Sequence, residues 1–162
     1  MKKRLLIIPL VLLLLFSGCS PKITKEKKAD VSSFFEDISA SFSARFGEIE
    51  AGGKLTYTPE NLTLEFTFPK TVKGFVISVD SQGIALSYKN LTVKKQNSSL
   101  TESFNAFAVF SALNSARNTG ILKKLDGKTL VTGDGFEITL DGENRISEIE
   151  IPEKRIYIKM EW

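Results

Sequence analysis

From Lys54 to Val93 apolar and polar residues alternate with a period of two. Leu62, Leu64, Phe66 and Phe68 form one such run, Phe75, Ile77 and Val79 a second, and Ile84, Leu86 and Tyr88 a third. A period of two places one apolar and one polar face on each strand. Thr58-Pro59-Glu60-Asn61, Pro69-Lys70 and Asp80-Ser81-Gln82-Gly83 supply turn chemistry between the runs. The pattern predicts four or five short strands in a connected antiparallel sheet. One face of that sheet is apolar and needs a cover.

On the N-terminal side, Val31 to Ile38 reads as a short helix. Ser32 or Ser33 can cap it, Glu36 and Asp37 suit its first turn, and Phe34 and Ile38 share a face beside Phe35. From Ser39 the period changes: Phe42, Ala44 and Phe46 alternate with serines and Arg45, which predicts a strand. The four-residue spacing of Phe34, Ile38, Phe42 and Phe46 also suits a continuing helix, but a helix followed by a strand is the preferred reading. Ala51-Gly52-Gly53 predicts a turn or a bulge.

On the C-terminal side, Lys94 to Leu100 reads as a polar loop, and Thr101-Glu102-Ser103 leads into a helix over Phe104 to Ala116. Phe104, Phe107, Ala108 and Ser111 form one stripe of it. Val109, Phe110 and Leu113 widen the apolar surface to most of the circumference, which predicts burial on more than one side. The chain then returns to strands, with turns at Asp126-Gly127, Gly133-Asp134-Gly135, Asp141 to Asn144 and Pro152-Glu153-Lys154. Strands are expected over Thr129 to Val131, Phe136 to Leu140, Arg145 to Ile151 and Arg155 to Trp162. The fold class is α+β, mostly β: an antiparallel sheet covered by one or two helices.

The N-terminus changes the picture. Lys2, Lys3 and Arg4 precede an apolar run from Leu5 to Phe16, which has the length of a signal-peptide core and is short for a bilayer span. Phe16-Ser17-Gly18-Cys19 resembles the lipobox of bacterial lipoproteins, with Phe16 where a leucine is usual. The resemblance implies that residues 1–18 are a signal peptide and that Cys19, the only cysteine, carries the lipid anchor, palmitate included. Two or more acyl chains give stable attachment. Residues 19–30 read as a flexible tether whose lysines can also touch anionic headgroups. Residues 31–162 read as one domain with one core. The expected location is the extracytoplasmic face of a cell membrane, the outer membrane being open to it where there are two.

Without residues 1–18 the charge balances. Three of the 22 basic residues go, leaving 19 against 19 acidic ones, so the formal +3 belongs to the leader. A neutral domain offers no electrostatic case for nucleic acid. The chain has no histidine, which removes Ser-His-Asp and Cys-His catalysis and most zinc sites. Glu60, Asp80, Asp126, Asp134, Asp141, Glu143 and Glu150 sit beside turns or on polar strand positions rather than as a catalytic pair. The acids near Gly135 and Gly142 lack the calcium-loop spacing, and Gly127-Lys128-Thr129 lacks the first glycine of a phosphate loop, because position 122 is leucine. No enzyme, metal or cofactor is expected. What stands out is twelve phenylalanines against three tyrosines and one tryptophan, a composition suited to packing or to holding hydrocarbon.

Ser41-Phe42-Ser43-Ala44-Arg45-Phe46, Gly53 to Pro59, Phe66-Thr67-Phe68-Pro69 and Val76 to Tyr88 resemble the LolA/LolB lipoprotein-carrier superfamily in residues and running order. The resemblance implies an incomplete, strongly curved antiparallel β-barrel with helices as a lid and an apolar cavity for acyl chains. Thr58 stands where the soluble carrier has a lid-latching arginine. Together with the anchored N-terminus this resembles the membrane-bound branch more than a free shuttle. The expected function is non-catalytic binding of a lipid or acyl chain, with Phe66, Phe68, Phe75, Ile77, Leu86, Phe104, Phe107 and Phe110 as candidate lining residues. The alternative is a structural or adaptor lipoprotein whose core is full and whose surface, Trp162 included, binds another envelope protein.

Overall fold

The computed structural model describes residues 30–96, 104–125 and 127–162. The leader, Cys19 and nearly all of the tether lie outside the described residues, as do positions 97–103 and Asp126. Eleven strands follow in order: β1 (Ile38–Phe46), β2 (Ile49–Thr58), β3 (Asn61–Phe68), β4 (Phe75–Asp80), β5 (Gly83–Tyr88) and β6 (Leu91–Gln96), then β7 (Ile121–Leu125), β8 (Lys128–Gly133), β9 (Phe136–Leu140), β10 (Ile146–Ile151) and β11 (Ile156–Glu161). Among the described residues one α-helix, α1 (Asn105–Thr119), lies between β6 and β7. All eleven strands form one antiparallel sheet in the order β6-β5-β4-β3-β2-β1-β11-β10-β9-β8-β7. Neighbours in the sheet are neighbours in sequence, with one exception: β1 pairs with β11. Two hairpin meanders are therefore joined through the first and last strands of the domain. The sheet is not closed, and β6 and β7 are its edges, as an incomplete barrel requires.

Alternation sets which face is buried. In β1, Ile38, Ala40, Phe42 and Ala44 are buried while the residues between them are exposed. The register carries this across the sheet. Val131, Ile138, Ile149, Ile158, Ala44 and Ala51 stand opposite one another from β8 to β2, and all are buried. Cross-strand rows of this kind are the packing unit of a sheet. Ahead of β1 the expected helix is a single 3-10 turn, Ser32–Phe35. Phe35 is fully buried and Ile38 already belongs to β1. So short a segment gains little from helix propagation, and its burial fixes it instead.

The α1 helix lies on the inner face and packs most against the 3-10 turn Ser32–Phe35, then against β8, β4, β3 and β10. Its buried stripe is Ala106, Val109, Phe110, Ala112, Leu113 and Ala116. Most of the expected stripe points the other way: Phe107 and Ala108 are half-buried and Ser111 is exposed, while Phe104, just ahead of the helix, is exposed at the edge of the cover. Small residues account for the difference. Three alanines let the helix backbone approach the sheet, so burial follows the face that packs closest rather than the most aromatic one. At its end, a Cβ on Gly120 would meet the Ala116 carbonyl oxygen at 2.4 Å and Val131 at 2.5 Å, so this exit needs glycine. The polar segment from Lys94 is also strand at first: Lys94, Lys95 and Gln96 extend β6 against Ala85, Ile84 and Gly83.

Candidate functional site

One row of side chains leads from the core into solvent. Leu55, Leu64, Ile77, Leu86 and Val93 are direct cross-strand partners from β2 to β6. Directly paired residues of an antiparallel sheet share a face, so all five point inward. Their exposure climbs from 0% at Leu55 and 1% at Leu64 to 39% at Leu86 and 68% at Val93. The cover is what changes, since α1 packs on β3 and β4 but hardly on β5 and β6.

An apolar groove of about 300 Å³ lies where the cover ends. Leu64 and Phe66 of β3 and Ala51 of β2 form its floor. Phe75 and Ile77 of β4 and Leu86 of β5 form one wall, with Val72 of the β3–β4 loop beside them. The start of α1, at Phe104, Asn105 and Ala106, closes the top, and Phe46 and Ile49 flank the mouth. Phe42 meets the Phe66 ring edge-on at 5.9 Å, which fixes the floor. Phe75 stacks on Tyr88 at 4.4 Å and stiffens the wall. Asn105 is the one polar side chain in the lining, and none of the lining side chains titrates. The site accepts hydrocarbon and offers no partner for a buried charge.

Of the candidate lining residues, Phe66, Phe75, Ile77, Leu86 and Phe104 come together in this groove. Phe110 does not: it is buried under α1, edge-on to Tyr57 at 6.3 Å. Phe107 sits half-buried on the far side of the helix, beside Phe136 and Ile151 in a separate, more polar depression. Phe68 is on the opposite face of the sheet. Gly53 pairs with Phe66, but the next β2 residue back, Gly52, pairs with Phe68. Thr67 is the extra residue of a bulge, and one extra residue flips every position after it. Phe68 is therefore 56% exposed, among the outward-facing Ser43, Arg45, Tyr157 and Lys159. Of the expected turn or bulge at Ala51-Gly52-Gly53, the bulge is what forms. A Cβ on Gly53 would meet the Glu65 carbonyl oxygen at 1.9 Å, so the bulge needs glycine there. Leu64, Ala51, Val72 and Ala106 also line the groove and are absent from the candidates that the sequence suggests. Leu64 belongs to an alternating run and could have been found there, whereas the other three are placed by tertiary packing.

Behind the groove the inner face carries one buried polar link. The Tyr57 hydroxyl donates to Asn114 Oδ1 of α1 at 2.9 Å. Burial pushes the Tyr57 phenol up to about 12, against the opposing pull of the Arg117 charge. Among the described residues no three of the His, Cys, Asp and Glu side chains group as a metal site would. Trp162, a candidate for binding a partner, is half-exposed but tied down. Its Nε1 donates to the Ile146 carbonyl at 2.7 Å, and the Arg145 guanidinium lies 5.6 Å over its ring.

No protein-family model matches the chain, and no curated protein matches it. Among solved structures it is similar to an uncharacterized conserved protein from Thermus thermophilus, with 12% identity, 81% of this chain and 80% of that one covered, and a TM-score of 0.47. It is similar to a DUF1329 family protein from Desulfovibrio piger, with 11% identity, coverage of 76% and 81%, and a TM-score of 0.38. It is also similar to a LolA superfamily protein from Nitrosomonas europaea, with 11% identity, coverage of 79% and 74%, and a TM-score of 0.38.

Proposed function

We propose that this protein is a membrane-anchored, extracytoplasmic lipoprotein that holds a lipid or acyl chain in the groove between α1 and strands β2 to β5, without catalysing a reaction. The observation that carries this reading is the lining itself: hydrocarbon side chains with one amide among them, open to solvent at the mouth. A pocket of this size lies at the low end for small ligands, which run from about 300 to 1,000 Å³, so it suits one chain rather than several. The resemblance of the strand motifs to the LolA/LolB superfamily supports the same reading, and the Phe16-to-Cys19 motif supports the anchor. On this reading the tether lets the domain work at the surface of its own membrane. The test is direct. The domain from Asp30 onward is purified, its organic extract is analysed by mass spectrometry, and a fluorescent fatty acid is titrated in. Co-purifying lipid is expected, together with saturable binding that Leu86→Lys abolishes. A folded domain that yields no lipid and binds no fatty acid rules the reading out and leaves a filled-core adaptor in its place.

A further inference from the structure

The groove opens onto an apolar lip with charges of one sign around it. On β6, Leu91 pairs with Tyr88 and Val93 with Leu86, so both face inward with the groove wall, yet they are 73% and 68% exposed. Between Thr67 and Gln96, strands β4 to β6 and their loops carry five lysines (Lys70, Lys73, Lys89, Lys94 and Lys95) and one acid, Asp80. That acid is at the far end, in the β4–β5 turn, where its carboxylate accepts from the backbone N–H groups of Gln82 and Gly83. Among the described residues none of the five lysines is in an ion pair, and the ion pairs there belong to Arg145. Since residues 19–162 are neutral in sum, this lobe is a cationic part of the domain. Lys70 and Lys73 flank Val72 of the groove wall. Lys89 lies 5.2 Å over the ring of Tyr88, which stacks on Phe75.

We infer that this lip is a docking surface for an anionic lipid bilayer, with Leu91 and Val93 dipping among the acyl chains and Lys70, Lys73 and Lys89 meeting headgroups. Exposed aliphatic side chains framed by lysines outside any ion pair fit both layers of a membrane surface. Lysines on an edge strand also guard against strand pairing. That accounts for Lys94 and Lys95, but not for Lys70, Lys73 and Lys89, which lie off the edge, nor for two bare aliphatic residues on the edge itself. A second copy of the chain is a poor occupant: a two-fold β6–β6 pairing would crowd Lys94 and Lys95 of both copies into one short ladder. The inference concerns where the domain touches the membrane and does not depend on a chain entering the groove.

The test reads the lip locally, in the full chain. In a Cys19→Ser background a thiol-reactive, polarity-sensitive fluorophore is placed either at the lip, by Asn90→Cys, or on the outer face, by Glu137→Cys. Each protein is mixed with neutral phosphatidylcholine vesicles or with vesicles containing phosphatidylglycerol, with and without brominated acyl chains. The lip probe is expected to shift to the blue and be quenched on anionic vesicles, while the outer probe stays in water. Charge reversal at Lys70, Lys73 and Lys89 is expected to raise the lipid needed about a hundredfold, at about fivefold per lysine. Leu91→Glu with Val93→Glu, both already exposed, is expected to abolish the shift while the far-ultraviolet circular dichroism is retained. A lip probe that remains in water on anionic vesicles overturns the inference. So does a signal equal at both positions, one unchanged by charge reversal, or shielding that appears only when another envelope protein is added.

Discussion

Phe66 and Phe68 are two residues apart on one strand and do opposite things. The Phe66 ring is on the groove floor, against Phe42, and truncating a buried phenylalanine to alanine costs about 3–5 kcal/mol. Phe68 is beyond the bulge and exposed, where surface substitutions stay within about 0.5 kcal/mol. Urea denaturation is therefore expected to separate Phe66→Ala from Phe68→Ser by several kcal/mol, with fatty-acid binding lost in the first and kept in the second. Equal losses would put Phe68 back on the inner face. Tyr57 makes a pH-dependent prediction. Its phenol is neutral in the fold up to about pH 12, whereas in the unfolded chain it ionises near pH 10. Below pH 10 both states hold the proton and nothing changes. Between pH 10 and 12 the unfolded state loses it first and gains stability. The domain should thus lose about 2–3 kcal/mol across that window, at roughly 1.4 kcal/mol per pH unit. In Tyr57→Phe that part of the slope should vanish, and stability at neutral pH should fall by about 1 kcal/mol for the lost bond to Asn114.

At the scale of elements, the β2–β3 pair depends on its bulge, and the bulge depends on Gly53. Adding one methyl there drives it into the Glu65 backbone, which no side-chain rotation relieves. Gly53→Ala should cost at least about 2 kcal/mol, within the usual range for overpacking, and thermal unfolding would show it. In Gly47→Ala a new Cβ has no neighbour within 4 Å, so only the strain of a left-handed φ of 64° remains. The same pair marks how far the sequence is legible. Strands β1, β3 through Phe66, β9 and β11 follow their alternation, because each has one buried and one solvated face, and the apolar side chains of β4 and β5 keep the same alternation where the cover thins. The apolar wall of the groove is readable for that reason at Phe66, Phe75, Ile77 and Leu86. Phe68 is not, because the extra residue is visible only in the pairing with Gly52 and Gly53. The packing face of α1 is not readable either. Apolar residues surround most of that helix, so period alone does not choose a side, and the choice falls to alanines that admit the sheet. Lys94 to Gln96 reads as a loop because an edge strand with solvent on both sides needs no alternation.

At the scale of the molecule, everything rests on one long-range junction. Every other pairing in the sheet joins consecutive strands, but β1 pairs with β11, from Ser41 with Glu161 to Phe46 with Ile156. Residues near the two ends of the domain must meet before the inner face is continuous, and such closure slows folding through loop entropy. The groove depends on this junction indirectly, since its floor on β2 and β3 is held in place by β1. Strand β11 is buried on its inner face at Ile156, Ile158 and Met160. Beyond it, Trp162 reaches back to the Ile146 carbonyl and locks the end of the chain onto β10. Ile158→Ala removes a fully buried side chain flanked by Ala44 and Ile149, and a loss of about 2–5 kcal/mol is expected. A chain ending at Arg155 is a harder case. It strips partners from both β1 and β10, opens two new edges in the middle of the sheet and exposes the row from Val131 to Ala51. Neither meander alone then has a closed core, and α1, which packs on strands of both, loses its seat. The truncated chain should show no cooperative thermal transition and no near-ultraviolet circular dichroism. A sharp melt would instead mean that one meander folds as a unit with α1, and the fatty-acid titration would tell which, because the groove walls belong to β2 through β5.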